Sequence, residues 1–164
     1  MGVRLSPVTT EFLQSAPLRI VVTQRLGASR EALFRALTDD ASTWPQWWRE
    51  ITRASYTGPG PYNVGAGRSV SLRGGVRFVE SVLVWDEPER FVYRIEETNV
   101  PGAHAWMEEW LLTDDQASGT TVRFTIAIEG HAALELPLQA VRPMVMRSIR
   151  KAMRRLDART SQLS

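Results

Sequence analysis

Along the chain the repeat of apolar and polar positions changes twice. The run Leu18 to Arg25 (LRIVVTQR) is rich in β-branched residues and reads as a strand. Gly27 ends it. The segment SREALFRALTDD follows, with Ser29 placed to cap a helix and Leu33, Phe34 and Leu37 at helical spacing. A second short helix or turn is expected around STWPQWWREI, where Pro45 suits a first turn. From Ile51 to Glu129 the repeat becomes that of strands, around Ile51–Tyr56, Arg68–Arg73, Val76–Trp85, Phe91–Glu97, Ala105–Leu112 and Thr121–Glu129. Gly74-Gly75, Asp86 to Glu89 and Asp114 to Gly119 are short turn segments between them, so the strands form an antiparallel meander. After Gly130 the helical repeat returns. Leu138, Val141, Val145, Ile149, Ala152 and Leu156 fall within about 80° of one another on a helical wheel, with Arg147, Arg150, Lys151 and Arg154 opposite. Pro143 is expected to bend that helix or delay its start.

The order strand, two short helices, meander, long helix predicts an α+β fold, in which a curved antiparallel sheet of about seven strands packs one face against the C-terminal helix. Residues 1–16 carry no periodic apolar pattern and are expected to be a mobile lead-in to one domain spanning 17–164. A chain of 164 residues is long enough for one sizeable core, and 43% hydrophobic with 23% charged residues excludes wholesale disorder and fibrous classes.

Charge and residue usage narrow the chemistry. The segment Arg142 to Arg159 carries a net charge of +6 and the rest of the chain −4, so a chain-wide affinity for nucleic acid is not expected. The basic segment reads as a solvated helix face, with contact to phosphate or lipid as the other option. There is no cysteine, and two histidines, His104 and His131, are too few for most zinc sites. No Gly-x-Ser-x-Gly elbow is present, and Gly65, Gly67, Gly74 and Gly75 open no helix as a phosphate-binding loop would. No metal, nucleotide or other cofactor is therefore expected. No apolar run reaches the ~20 residues of a membrane span and no secretory leader is visible, which predicts a cytoplasmic location.

The strings RALTDDASTWPQWW, VGAGRSVSLRGGVRFVESVLVWDEPERFVYRI and EEWLLTDDQASGTTVRFTIAI resemble the START and birch-pollen-allergen superfamily, in particular its polyketide cyclase/dehydrase branch. The likeness runs from about Leu18 to the C-terminus. Its informative pieces are the tryptophan-rich segment, the Gly65 and Gly67 pair, the Trp-Asp-x-Pro-x-Arg turn at Trp85 to Arg90, and Gly119-Thr120. The resemblance implies a helix-grip fold with a cavity between sheet and long helix, and binding of a hydrophobic small molecule there. Relatives of this kind include enzymes, lipid carriers, receptors and chaperone-associated modules, so fold alone selects no reaction. If the chain is an enzyme, the resemblance implies cyclase, aromatase or dehydrase chemistry without metal or nucleotide.

Strand parity names the cavity wall. In the last strand Val122, Phe124, Ile126 and Ile128 form the inward set, with Arg123 on the other side. Pairing Trp110 with Val122 turns Trp106, Glu108, Trp110 and Leu112 inward too. Phe91, Tyr93 and Ile95 form the next apolar set, and pairing Val84 with Phe91 brings in Phe78, Glu80 and Val82. A slip of one residue there would instead turn Arg77, Val79, Ser81, Leu83 and Trp85 inward. Glu80 and Glu108, two strands apart, are separated by ~10 Å of backbone and form no tight dyad. Each is expected to be solvated, paired with an arginine, hydrogen-bonded to a ligand or active in proton transfer. Among Trp44, Trp47 and Trp48 at least one should pack inward, and Trp48 is taken as the wall residue. Val145 and Ile149 supply the helix wall. His104 is placed at the open rim, as a solvated residue or as the first candidate for acid–base work, and His131 in a turn. The competing reading is a non-catalytic interaction module with a filled core, contacting a macromolecule through its basic helix face or tryptophan segment. A cavity of a few hundred cubic ångströms separates the two. Oligomeric state is not legible.

Overall fold

The computed structural model describes residues 2–162; Met1, Leu163 and Ser164 lie outside the described residues. Seven strands follow one another in space as β2 (Leu18–Leu26), β8 (Gly119–Gly130), β7 (Ala103–Asp115), β6 (Arg90–Thr98), β5 (Arg77–Asp86), β4 (Gly67–Leu72) and β3 (Ile51–Tyr56), all antiparallel neighbours. The chain crosses from β2 to the far edge through α2 (Arg30–Thr38), a 3-10 turn at Ala41–Thr43 and α3 (Trp44–Trp47). Ser29 caps α2 by accepting from the Ala32 amide at 3.2 Å, as its position in the sequence implies. The Trp44 indole donates to the Leu37 carbonyl at 3.0 Å, which folds the tryptophan-rich turn back onto α2.

Two register details differ from the expectation. Trp110 lies opposite Phe124 and Leu112 opposite Val122, a shift of two residues that leaves every inward residue inward. On β5 the partner of Val84 is Val92, and Phe91 pairs with Trp85. Irregularities at Val79/Glu80 and Val82/Val84 absorb the difference, so Phe78, Glu80 and Val82 are buried while Trp85, beyond the second one, turns back to pack on Phe91. The first register considered thus holds for Phe78, Glu80 and Val82, and of the slipped alternative only Trp85 turns inward.

Residues 3–16, expected as a lead-in, pair and pack with the sheet. The β6–β7 ladder runs only from the Arg90/Leu111 pair to the Arg94/Met107 pair, and beyond it the strands part. The N-terminal segment fills that split. β1 (Val3–Arg4) pairs with Glu97 and Thr98 of β6, the Leu5 amide donates to the Glu96 carbonyl and the Ser6 amide to the His104 carbonyl, each at 2.8 Å. Leu5 enters the main core through the gap, and α1 (Phe12–Ser15) sets Phe12 and Leu13 on the outer sheet face against Val92, Met107 and Ala127. Unpaired backbone groups in a split sheet would be costly to bury, which is why this segment is ordered despite its lack of periodicity.

α4 (Ala132–Ser161) is one continuous helix across Pro137 and Pro143. Asp157 ties its end to the β2–α2 turn by accepting from the Gly27 and Ala28 amides at 3.0 and 2.9 Å. At its start Glu135 accepts from the Gly130 amide at 3.1 Å, and the Nε2 atoms of His131 and His104 lie 3.2 Å apart. Its buried residues Ile149, Ala152, Met153, Leu156 and Thr160 all belong to the second half. In the first half Val145 is only half-buried, and Val141, expected to face the sheet, is 39% exposed. The stripe is continuous in sequence, but in its first half Leu134, Leu138 and Val145 pack against the core only in part. Among the described residues no helix is long and apolar enough to cross a membrane.

This division of α4 gives a contrast to measure by chemical denaturation. Ile149→Asp, at a position 1% exposed, should lose at least about 3 kcal/mol of stability, because the carboxylate must be desolvated or protonated. Val141→Asp should stay within about 1 kcal/mol of the wild type. Equal losses at both positions would contradict the described seating of the helix.

Candidate functional site

Between the inner sheet face and the first half of α4 lies a cavity of about 470 Å³. Its volume is that of a small-molecule site and its wall is almost wholly apolar. Ile20, Ile126 and Ile128 form one side and Val70, Leu72 and Phe78 the other; Trp44, Trp48 and Trp106 contribute aromatic surface. Leu134, Leu138, Val145 and Ile149 of α4 close it.

One polar seam interrupts the apolar wall. Arg68 and Glu80 are directly opposite each other on β4 and β5, and Tyr93 and Glu108 are opposite each other on β6 and β7. The Arg68 Nε donates to Glu80 Oε2 at 2.6 Å, with the two side chains 1% and 3% exposed. The guanidinium carbon lies 4.3 Å from the centroid of the Trp44 ring and 4.4 Å from that of Tyr93, so the cation is held between aromatic faces. Nη1 and Nη2 of Arg68 are buried with no hydrogen-bond partner. In the other half of the seam Trp110 Nε1 donates to the Tyr93 hydroxyl at 3.2 Å and Trp106 Nε1 to Glu108 Oε1 at 3.1 Å.

Burial sets the protonation of this seam. It pushes Glu108 up to about 7, and the nearby Glu80 adds to the rise, while the Tyr93 hydroxyl, the Trp106 indole and Arg68 favour the anion and limit it. Glu80 is also raised by burial, with Arg68 opposing. Burial, then the neighbouring Glu108, holds the Tyr93 hydroxyl well above the ordinary phenol range, so it stays a neutral donor. Burial works against the Arg68 cation, but Glu80 and the tyrosines outweigh it and Arg68 stays charged. Glu108 is therefore a carboxyl group that can exchange a proton near neutral pH inside an apolar cavity. Among the described residues no group of three or more histidine, aspartate or glutamate side chains could hold a metal ion.

Residues 17–160 match the family model described as polyketide cyclase/dehydrase and lipid transport. The chain belongs to this family. Uncharacterised proteins of Mycobacterium tuberculosis and Mycobacterium bovis are each 28% identical over 151 residues, covering 91% of this chain and 88% of theirs. The fold is shared with a START superfamily protein from Mycobacterium smegmatis, at a TM-score of 0.69 and 15% identity over 89% of this chain and 99% of that one. It is shared equally with Ara h 8.0201, at a TM-score of 0.68 and 12% identity over 88% and 98% of the two chains. The expected polyketide cyclase/dehydrase branch and helix-grip architecture are thus what the chain has.

In this member of the polyketide cyclase/dehydrase and lipid transport family, Trp48, Phe78, Glu80, Tyr93, Trp106, Glu108, Val145 and Ile149 all line the cavity. Two expected wall residues do not. Trp110 is fully buried behind the wall, packed on Phe124, Trp47 and Trp48, and reaches the seam only through its bond to Tyr93. His104 is exposed and lies against His131, tying the sheet to the start of α4 rather than facing the cavity. The residue that sequence reasoning missed is Arg68. Its signal was available, since Arg68, Val70 and Leu72 alternate with Ser69, Ser71 and Arg73, and the apolar pair marks the inward face.

The raised Glu108 gives a signed pH dependence. In the folded state its carboxyl is held at about 7 against an ordinary 4.5, so the folded protein retains a proton that the unfolded chain releases in that interval. Stability should then fall as pH rises between those two values, and Glu80 acts in the same direction. Glu108→Gln should flatten the fall and exceed the wild type at about pH 8 by as much as about 3 kcal/mol, while matching it within about 1 kcal/mol near pH 4. Denaturant titrations across that range check this; an unchanged slope in the variant would contradict the assignment.

Proposed function

We propose that this protein binds a hydrophobic small molecule, of aromatic, polyketide-like or lipid-like character, in the cavity between its sheet and α4. The observation that carries this reading is the cavity itself. About 470 Å³ bounded by isoleucine, valine, leucine and tryptophan side chains is apolar surface left without packing partners, and an apolar ligand supplies the missing contacts. The open space also weighs against a module with a filled core. The seam of Arg68, Glu80, Tyr93 and Glu108 supplies the few polar groups that orient a ligand in such a site.

Whether the bound molecule is only carried or is also transformed turns on Glu108. A carboxyl at about 7 beside a neutral tyrosine hydroxyl is suited to moving a proton to or from a carbonyl compound held in a water-poor space, as cyclase-like chemistry requires. Carriage is the primary reading, and proton transfer at Glu108 is the second, favoured by this one group.

Aminoanthracene, a neutral apolar fluorophore, tests the binding reading. It should bind saturably with enhanced emission and raise the melting temperature in proportion to occupancy, because only the folded state has the cavity. Val145→Trp places an indole in the cavity from a half-buried helix position and should weaken binding by at least about tenfold while the unliganded protein melts within a few degrees of the wild type. Unsaturable binding, or undiminished binding by that variant, would contradict the proposal.

A further inference from the structure

One cavity-lining side chain carries a buried polar edge that nothing among the described residues satisfies. Arg68 uses Nε for Glu80, and its flat faces are covered by Trp44 and Tyr93. The remaining edge, carrying Nη1 and Nη2, is buried, belongs to a cavity-lining side chain and has no hydrogen-bond partner. Buried donors of a charged group are rarely left unpaired, and the cost of leaving them so exceeds that for a neutral amide. A guanidinium also binds best where two parallel donors meet two oxygens of one planar group. We infer that the ligand of this cavity is an apolar acid, whose carboxylate is received by the free Nη edge of Arg68 while its hydrocarbon or aromatic body lies along the isoleucine and valine wall. This deepens the binding reading above and rests on it.

The surroundings decide for a carboxylate over a neutral carbonyl or hydroxyl. A hydroxyl can satisfy one of the two nitrogens, whereas a carboxylate satisfies both and brings the charge that Glu80 alone, bonded to Nε, does not bring to that edge. The charged and titratable groups around Arg68 are Glu80 on β5, Tyr93 on β6, Glu108 on β7 and Tyr56 on β3. Glu50 and Arg73, both exposed, also belong to the cavity wall, and α4 contributes no ionisable side chain to it. Glu108 is therefore the group that must adjust. With an anion on Arg68, an ionised Glu108 becomes a further negative charge in the same small space, so acid binding favours the protonated carboxyl and takes up a proton. Affinity for an acid should accordingly fall as pH rises through the range in which Glu108 ionises. A neutral ligand should show little such dependence.

Displacement of aminoanthracene by matched probes tests this. One series is dodecanoate, methyl dodecanoate and dodecanol; the other is naphthoate and methyl naphthoate. At about pH 6.5 the better-fitting acid should bind at least about tenfold more tightly than its ester or alcohol, the scale of a charge-assisted pair. The series in which this holds tells an aliphatic from an aromatic body. Arg68→Lys keeps a cation for Glu80 but removes the paired edge, and should reduce the acid preference to within about threefold without loss of dodecanol or methyl naphthoate binding. Glu108→Gln should remove the fall in acid affinity between about pH 6 and pH 8, a readout that does not depend on Arg68→Lys folding. Acid, ester and alcohol binding within threefold of one another in the wild type would overturn the inference and leave the binding reading intact. A preference retained by a folded Arg68→Lys would also overturn it. If aminoanthracene itself fails to bind, the cavity reading falls and this inference falls with it.

Discussion

A strongly curved sheet and a long helix cannot touch along their whole length, and the rest of this structure follows from where they do touch. The second half of α4 seats Ile149, Ala152, Met153 and Leu156 in the core, and Asp157 locks that end to the β2–α2 turn. The start of the helix is held separately, by Glu135 and the His104–His131 contact. Held at both ends, the first half spans the concave face without filling it. Burial of the second half supplies most of what the helix contributes to stability, since apolar area removed from water is the main favourable term. The space left under the first half is where the molecule has apolar surface to offer a ligand.

Within that space the sheet places its charges in register rather than at random. Arg68 faces Glu80 across one pair of strands and Tyr93 faces Glu108 across another, so two cross-strand pairs make a continuous seam on an otherwise apolar wall. A buried ion pair is a weak source of stability, because desolvating both partners offsets their attraction. Apolar replacements of similar volume would hold the sheet as well. The pair is better understood through what it leaves undone: a guanidinium with one edge free, next to a carboxyl that burial raises to about 7. Both features are properties of a binding site more than of a core.

Much of this was legible in the sequence, for physical reasons that also mark the limit. Alternation in the strands is a two-residue period, so a register error of two, as at Trp110 and Phe124, leaves the inward face unchanged. The bulges in β5 are invisible to periodicity, yet they decide that Glu80 and Trp85, five positions apart and so of opposite parity, both turn inward. Val141 sits on the correct helical stripe but is exposed, because a wheel gives the direction of a side chain and not the distance to its neighbour. Trp110 faces the right way but is screened by Trp48, which only packing reveals. The N-terminal segment carries no repeat because it bridges two strands through backbone groups, Leu5 to Glu96 and Ser6 to His104, and side-chain pattern does not record such bonds.

A ligand held as proposed lies on the inner side of α4, against the sheet. Intermolecular nuclear Overhauser effects between a bound apolar probe and assigned methyl groups measure this directly. Contacts are expected from the probe to the methyls of Ile126, Ile128, Val145 and Ile149, which surround the cavity. Contacts confined to Leu136 and Val141, the exposed leucine and valine of α4, would place the ligand on the outer surface and contradict it.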